Sequence, residues 1–199
     1  MDPNAIGKSY DQIAVKWQNE PIQSYGIAQL ERAIRFVKSR GRALDIGCGS
    51  QGRMITLLQK ESFQPEGLDI SQQMIALAKQ QHPGVMFHLA DISEWNFPHS
   101  YDLIIAWDSI WHLPLNQQEP VFKKICANLA PDGVYLFTAV GFDEPGDHGD
   151  SGHMGVPLAY GTLGIPCLLD HVTKFDCACR HFEFDQFPEK HLCMIVQKH

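Results

Sequence analysis

Several features that define whole classes of protein are missing from this 199-residue sequence. Its longest strongly apolar stretch, residues 133–142, is too short to span a bilayer, and its first residues lack the basic and then apolar pattern of a secretory signal. Basic residues are scarce, because 16 Lys and Arg stand against 23 Asp and Glu, a formal net charge of -7. That charge disfavours nucleic acid and anionic membranes as partners. We therefore expect a soluble, cytoplasmic protein that binds small molecules, and no pattern indicates its oligomeric state.

The six cysteines lack the spacing of a metal site or of a disulfide framework. No Cys-x-x-Cys pair occurs, so we expect reduced, buried thiols and no bound metal. Cys177 and Cys179 would share one face of a strand, where Cys193 of a hairpin partner could join them. Core packing is the interpretation we favour over a metal site at these three residues.

Strand and helix patterns alternate along residues 24–140. Short apolar runs predict five strands, and amphipathic patterns between them predict helices. Because strands that alternate with helices form parallel sheets with right-handed crossovers, we predict one domain with a three-layer, doubly wound α/β fold. The predicted strands are 43–46, 66–70, 85–90, 101–107 and 134–140, and the predicted helices are 24–38, 52–60, 72–81 (with its N-cap at residue 71) and 117–129.

The rest of the chain breaks this rhythm. Residues 141–172 hold seven of the sixteen glycines and three prolines, which predicts a long loop with a short helix at 165–173. Beyond this loop, residues 175–185 and 191–197 read as strands. The segment between these two strands is short enough to make them an antiparallel hairpin.

Three glycines form a Gly-x-Gly-x-x-Gly pattern, Gly47, Gly49 and Gly52, between a predicted strand and a predicted helix. Glycines at this position let a ligand approach the backbone, and the N–H groups at the start of the helix can bind a carboxylate or a phosphate. The pattern alone therefore fits more than one nucleotide-like ligand.

Three aspartates lie at the ends of the first three predicted strands, and they narrow the choice of ligand for the glycine loop. Asp45 lies two residues before the first glycine, where it would repel a pyrophosphate and attract an ammonium group. Asp69 can accept hydrogen bonds from a ribose with either ligand, and Asp91 suits the amino group of an adenine. Because the carboxyl ends of parallel strands meet at one edge of a sheet, these acids favour a positively charged nucleoside over a dinucleotide.

The order of these motifs resembles that of the class I methyltransferases that use S-adenosylmethionine. The segments that resemble the family are 44–49, 67–71, 89–92, 101–104 and 129–133, and residues 10–17 resemble its cap helix. The resemblance implies a Rossmann-like, seven-stranded, mostly parallel sheet of order 3-2-1-4-5-7-6, with strand 7 antiparallel in the C-terminal hairpin. The implied regions are a cap and first helix at 1–40, a cofactor-binding core at 42–140, a substrate-side insertion or lid at 141–174 and a terminal hairpin at 175–199.

The resemblance also implies site residues for S-adenosylmethionine and for its product, S-adenosylhomocysteine. The amino-acid end of the cofactor would lie by the glycine loop, its ribose by Asp69 and its adenine by Asp91. The full set of predicted cofactor-binding residues is Asp45, Gly47, Cys48, Gly49, Asp69, Ile70, Asp91, Ile92 and Trp107.

The family branches that modify nucleic acids have signatures that this sequence lacks after its fourth predicted strand. After the fourth strand the chain reads Trp107-Asp108-Ser109-Ile110, where amino-directed enzymes have Asn/Asp-Pro-Pro-Tyr/Phe, and that position also lacks the Pro-Cys of the cytosine-C5 type. Together with the negative charge, this departure indicates a small-molecule acceptor and no nucleic acid.

His112 is the first candidate for a general base, with Asp108 beside it. The interpretation we favour for His112 is nevertheless local packing or hydrogen bonding, and we expect Arg53 to be exposed on the first turn of its helix. Aromatic residues near the cleft either wall an acceptor pocket or belong to the core, and histidines of the long loop either meet a substrate or are solvated. These substrate-side candidates are Tyr10, Trp17, Trp111, His148 and His153.

The sequence is consistent with three alternative functions. The first is a small-molecule methyltransferase, which the ordered motifs favour. The second is an NAD(P)-dependent oxidoreductase with the same glycine loop, which Asp45, Asp91 and the terminal hairpin disfavour. The third is a non-catalytic protein that binds S-adenosylmethionine as a sensor or scaffold.

Overall fold

The structure is a computed structural model that describes residues 2–21, 24–150 and 153–199, with only the backbone of residues 150 and 153. No helix in these ranges is both long and apolar enough to cross a membrane. The helices are α1 Pro3–Gln18, α2 Ile27–Ile34, α3 Arg53–Lys60, α4 Gln72–Gln81, α5 Leu115–Ala127 and α6 Ile165–Lys174. The strands are β1 Arg42–Ile46, β2 Gln64–Asp69, β3 Met86–Leu89, β4 Tyr101–Ala106, β5 Leu129–Val140, β6 Gly146–Asp150, β7 Leu158–Thr162, β8 Cys177–Phe184 and β9 His191–Lys198.

Seven strands form one sheet in the order β3-β2-β1-β4-β5-β9-β8. Strands β1 to β5 pair in parallel, whereas β9 pairs antiparallel with both β5 and β8. The predicted fold class, strand order and C-terminal hairpin are therefore confirmed. The short connection between β8 and β9 explains the change of direction, since a parallel connection needs a dozen residues or more.

Apolar side chains cover both faces of the central strands, as a parallel sheet between two layers of helices requires. Along β4, Leu103 and Ile105 pack with α2 and α3, whereas Ile104 packs with α5 and α6 on the other face. The alternation follows from the period of two in a strand, and it divides the core into two layers.

Local signals set most helix boundaries. Ser71 is the N-cap of α4, as predicted, and its Oγ accepts a hydrogen bond from the backbone N–H of Met74 at 3.1 Å. Helix α2 is shorter than the predicted 24–38, because Gly26, in the left-handed conformation at a φ of 76°, immediately precedes it. Helix α5 ends before the predicted residue 129, because Leu129 pairs with Tyr101 and begins β5.

The described residues of the segment 141–172 contain more regular secondary structure than predicted. Helix α6 is confirmed, but β6 and β7 form a two-stranded antiparallel sheet where a loop was expected. The Gly and Asp residues of β6 give no apolar alternation, so nothing in the sequence indicated a strand. Next to this hairpin, Val156 and Leu158 pack against Ile6 and Ile13 of α1. The segment thus supports the N-terminal helix.

The cysteines of the C-terminal hairpin do not gather, and core packing, the interpretation favoured from the sequence, holds for Cys177 and Cys193, which are buried, but not for the exposed Cys179. Cys193 pairs with Glu183 in the β8–β9 ladder, whereas Cys177 and Cys179 lie opposite other residues. On the edge strand β8, Cys177 is buried and Cys179 is exposed. The three thiols therefore do not form a site.

Removing one buried hydroxyl should stabilise the fold. The hydroxyl of Tyr135 is fully buried and has no hydrogen-bond partner among the described residues, whereas the equally buried Tyr101 donates to Glu66 Oε2 at 3.2 Å. We expect Tyr135→Phe to raise the free energy of unfolding by about 1 kcal/mol and Tyr101→Phe to lower it by about 1–2 kcal/mol. Urea denaturation followed by fluorescence measures both. A loss of stability in Tyr135→Phe equal to that in Tyr101→Phe would contradict the expectation.

Candidate functional site

A cleft opens at the carboxyl edge of the sheet, between the ends of the parallel strands and helix α1. Its open volume is about 910 Å³, which includes the space that opens to solvent at its mouth. Segments that follow β1, β2, β3 and β4 form its floor, and Tyr10 and Trp17 of α1 form part of its roof. The structure thus brings together most of the predicted cofactor-binding residues: Gly47, Cys48, Gly49, Asp69, Ile70, Asp91, Ile92 and Trp107 all line the cleft.

The glycine loop after β1 takes a conformation that side chains would oppose. Gly47 and Gly49 have φ values of 73° and 60°, in the left-handed region. A Cβ on Gly47 would also lie 2.3 Å from the Cβ of Ser109, whose Oγ donates to Ile46 O at 2.8 Å. A Cβ on Gly49 would meet nothing closer than 3.7 Å. Gly47 therefore permits a close contact between two loops, whereas Gly49 is needed for its backbone angle alone.

Asp69 ties the loops after β1 and β2 together. Its two carboxylate oxygens accept backbone hydrogen bonds, from Gly49 N at 2.9 Å and from Ser71 N at 2.8 Å. Burial raises the pKa of Asp69 to about 6, against the opposing effect of these hydrogen bonds. A carboxylate has about four lone-pair sites, so Asp69 keeps acceptor capacity for a ligand in the cleft.

Asp45 does not line the cleft, which corrects the expectation that three acids share one surface. It follows Ala43 on β1 by two residues and so points to the face covered by α2 and α3, toward Arg53. Burial raises the pKa of Asp45 to about 7, although the charge of Arg53 lowers it, and the charge of Asp69 raises it further. Asp45 therefore acts on the cleft only through its charge.

Arg53 is partly buried, contrary to the expectation of an exposed side chain. Its Nε donates to Tyr25 O at 2.8 Å, and its guanidinium lies 5.7 Å from the centre of the Tyr25 ring. Burial lowers the pKa of Arg53, and the charges of Asp45 and Asp108 oppose that shift. No other Lys or Arg among the described residues lines the cleft.

Two other predicted residues have structural partners of their own. Asp91 accepts a hydrogen bond from Ser93 N at 2.8 Å, which turns the chain after β3 and leaves the carboxylate at the edge of the cleft. Burial, followed by the charges of Asp69 and Asp45, raises the pKa of the Cys48 thiol, so it stays protonated. Cys48 thus contributes an uncharged wall.

His112 lies in the cleft wall with both ring nitrogens in hydrogen bonds. Its Nδ1 is 2.7 Å from Ala159 O, and because a carbonyl oxygen only accepts, Nδ1 carries the proton. Its Nε2 then accepts from the Tyr10 hydroxyl at 2.8 Å and from Trp111 Nε1 at 3.1 Å. This arrangement supports local hydrogen bonding over a role as general base, since a base must give up these donors.

Asp108, directly after β4, lines the cleft and contacts a residue that the sequence analysis missed. Its Oδ1 accepts from Thr138 Oγ1 at 3.0 Å and lies 2.8 Å from His191 Nε2. His191 begins β9 and is the partner of Val140, the last residue of β5. Because β9 is antiparallel, its first residue lies at the edge where the parallel strands end. The predicted hairpin contained this signal, although no role was assigned to His191.

The substrate-side candidates divide into three groups. Tyr10 and Trp17 line the cleft from α1. Trp111 and His148 do not, so the substrate-side alternative is unsupported for both: Trp111 turns toward a smaller cavity under β7, and the His148 ring packs between Phe142 and Tyr160. The His153 side chain lies outside the described residues. Within the described ranges, no group of three or more His, Cys, Asp or Glu residues could hold a metal ion.

The chain resembles known methyltransferases in sequence. A family model described as "Methyltransferase domain" matches residues 43–133. Phosphoethanolamine N-methyltransferase of Plasmodium falciparum is 28% identical over 123 residues, which cover 59% of this chain and 46% of that protein. Malonyl-[acyl-carrier protein] O-methyltransferase of Bacillus anthracis is 31% identical over 144 residues, 69% of this chain and 51% of that protein. The chain therefore spans about half the length of these curated relatives.

Solved structures share the fold over nearly the whole chain. The 1,6-didemethyltoxoflavin-N1-methyltransferase of Burkholderia thailandensis, solved with 1,6-didemethyltoxoflavin and S-adenosylhomocysteine, has a TM-score of 0.74 at 17% identity, covering 100% of this chain and 91% of that one. The amino pentose methyltransferase CalS10 of Micromonospora echinaspora, solved with bound S-adenosylmethionine, has a TM-score of 0.69 at 16% identity, covering 94% and 96%. At these identities the likeness shows the fold.

Asp45→Asn should flatten the pH dependence of stability. Because the pKa of Asp45 is about 7 in the folded state and 3.8 ordinarily, its contribution to stability is complete below about pH 4 and is lost as the pH rises toward 7. We expect Asp45→Asn to match the parent near pH 4 and to be more stable by about 1–3 kcal/mol at pH 8. Denaturation at both pH values measures this, with the exposed Asp170→Asn as control. An equal difference at both pH values would contradict it.

Proposed function

We propose that this chain, which belongs to the class I methyltransferases that use S-adenosylmethionine, transfers a methyl group to a small-molecule acceptor. Its residues 43–133 match the methyltransferase domain. The observation that carries the proposal is the cleft at the carboxyl edge of the sheet, where the buried Asp69 and the left-handed glycine loop meet.

The residues of the cleft fit S-adenosylmethionine. The glycine loop would hold its amino-acid end, Asp69 and Ile70 its ribose, and Asp91 and Ile92 its adenine. Gln51 supports the fit, because its Oε1 is buried without a hydrogen-bond partner in the described chain, while its Nε2 donates to Trp17 O at 2.8 Å. A ligand ammonium group would supply the missing donor. The nearby charge of Asp45 would favour the same group.

Helix α1 is proposed as a cap that excludes water from the cleft. Asp11 accepts hydrogen bonds from Ser71 Oγ at 2.6 Å and from Gln73 N at 2.9 Å, and thus joins α1 to the start of α4. Ser9 Oγ donates to Pro157 O at 2.8 Å, beside the hairpin of β6 and β7. We assign the segment 141–174 to the support of this cap and of the substrate side.

S-adenosylmethionine supplies, when bound, a methyl group already activated by a positively charged sulfur. The role left to the residues of this chain would be to align the lone pair of the acceptor with that methyl group, whose bond to sulfur breaks with its electron pair going to the sulfur, and to receive any proton that the acceptor loses. Asp108 is our candidate for this contact, because His112 is held by hydrogen bonds to Tyr10 and Ala159.

The acceptor is proposed to be a small molecule and not a nucleic acid. The formal net charge of -7 and the single Arg in the described cleft wall support this class, since nucleic acid binding requires several phosphate contacts. The named relatives act on chemically different small molecules or on an acyl carrier, so their substrates do not select one acceptor for this chain.

Asp69→Ala should weaken cofactor binding. The variant removes a buried carboxylate from the proposed ribose site, and we expect a loss of about 1–3 kcal/mol in the affinity for S-adenosylhomocysteine. Isothermal titration calorimetry measures it, with Asp170→Ala as a control that should bind like the parent. Because Asp69 also holds Gly49 and Ser71, a melting curve of the unliganded variant must show that it folds. Unchanged affinity in the folded variant would refute the placement.

Two measurements test the function as a whole. We expect calorimetric binding of S-adenosylmethionine and S-adenosylhomocysteine, and none of NAD; binding of NAD alone would favour the oxidoreductase. We also expect S-adenosylhomocysteine to accumulate when the protein, S-adenosylmethionine and a broad metabolite panel are incubated together. Cofactor binding without turnover across such a panel would instead favour a non-catalytic sensor or scaffold.

A further inference from the structure

Behind the wall of the cleft lies an array of two carboxylates and one imidazole. His191 Nε2 is 2.8 Å from Asp108 Oδ1, and His191 Nδ1 is 2.5 Å from Asp185 Oδ1. The exposed fraction of the side chain falls from 21% for Asp108 to 10% for His191 and 4% for Asp185. Only the Asp108 end of the array is therefore accessible to a ligand in the cleft.

The contacts of His191 determine its protonation. An ionised carboxylate can only accept hydrogen bonds, so a ring nitrogen that faces one has to carry a proton. Both nitrogens of His191 face carboxylates, and the ring is therefore an imidazolium. Although burial alone would lower the pKa of His191, its hydrogen bonds and ion pairs with Asp108 and Asp185 raise it above its ordinary value.

Other groups around the His191 ring fix its position without removing its positive charge. The Tyr25 hydroxyl lies 3.2 Å from His191 Nε2 and accepts a hydrogen bond from Gln186. The Trp111 ring meets the imidazole at 84° and the Trp107 ring at 48°, with centres 5.5 and 5.6 Å away. Two further charged groups lie beyond these contacts. Arg53 packs against the Tyr25 ring, and Glu183 forms an ion pair with Arg32.

Asp108 itself has a strained backbone. Its φ of 52° lies in the left-handed region, which non-glycine residues seldom occupy, and such strain persists only where the surroundings hold it. Two elements hold it here: Thr138 of β5 bonds both the backbone N–H of Asp108, at 2.8 Å, and its carboxylate, and His191 of β9 binds the carboxylate. The strained turn leaves the carboxylate at the cleft.

We propose that His191 and Asp185 are positioning residues, which hold the carboxylate of Asp108 pointed at the acceptor side of the cleft. This role rests on the proposed function, because Asp108 orients an acceptor only if the cleft binds one. His191 supplies the fixed positive charge and the hydrogen bond, and Asp185 keeps the imidazole protonated and fixes the plane of its ring.

The protonation of His191 is measured by ¹H–¹⁵N NMR of the imidazole nitrogens in the whole protein, with and without S-adenosylhomocysteine. We expect both nitrogens to carry protons at pH 7 and the titration midpoint to lie above the ordinary value for histidine. Asp185→Asn should lower that midpoint by about one pH unit or more, whereas Asp170→Asn should leave it unchanged. A neutral His191 ring at pH 7 in the parent protein would overturn the proposal, and this result does not depend on turnover.

The positioning of Asp108 is measured by hydrogen exchange of its backbone amide, which donates to Thr138. We expect His191→Ala to speed this exchange at least tenfold and His191→Gln, which keeps a donor toward Asp108, to restore part of the protection. Amides in the middle of β1 serve as the control for global unfolding. Equal exchange of the Asp108 amide in the parent and in folded His191→Ala would show that His191 does not hold this turn, and the proposal would fail.

Turnover gives the final readout once the metabolite panel has yielded an acceptor. His191→Ala should lower kcat/KM at least tenfold while the affinity for S-adenosylhomocysteine stays within about twofold of the parent, and His191→Gln should recover part of the loss. Normal kcat/KM in His191→Ala would contradict the role. Loss of cofactor binding in the parent protein would count against the proposed function instead, so the two failures are distinguishable.

Discussion

The cleft depends on one buried carboxylate. Asp69 ends β2, yet its two oxygens hold backbone N–H groups of two different loops, at Gly49 and at Ser71. These bonds fix the glycine loop relative to the start of α4, and α4 in turn receives the Asp11 side chain of α1. Asp69 thus contributes to the connection between the floor and the roof of the cleft, beside the direct hydrogen bonds of Gln51 to Trp17 and of Tyr10 to His112. The cost is a charge held away from water, which appears as the raised pKa of Asp69.

Several other buried polar groups in and around the cleft also lack sufficient hydrogen-bond or charge partners. They indicate which kind of ligand the cleft can bind. Asp45 is buried near the charge of Asp69, and the Oε1 of Gln51 and the Nε1 of Trp107 have no hydrogen-bond partner in the described part of the chain. Buried polar groups are normally satisfied, so these unsatisfied ones fit a ligand that offers both a hydrogen-bond donor, for the Oε1 of Gln51, and an acceptor, for the Nε1 of Trp107. At these residues, groups that would favour ligand binding lower the stability of the unliganded protein.

The sequence predicted the parallel core well, because burial on both faces leaves continuous apolar runs such as that of β4. It failed where side-chain direction or irregular backbone decides the outcome. Asp45 faces away from the cleft because of strand alternation, and Trp111 turns away in a short helical turn after β4. Strand β6 has no apolar pattern at all. The contact of His191 with Asp108 was not predicted, because it depends on the pairing of β9 with β5, which no local sequence pattern encodes.

The position of β9 has a consequence for how the chain is made. This strand, the last of the sheet in sequence, inserts between β5 and β8 and does not add to an edge. Until residues 191–198 leave the ribosome, the long apolar strand β5 has an open side, and an open strand side is where chains associate wrongly. During synthesis the nascent protein therefore carries an aggregation risk that ends in the same step that delivers His191 to Asp108.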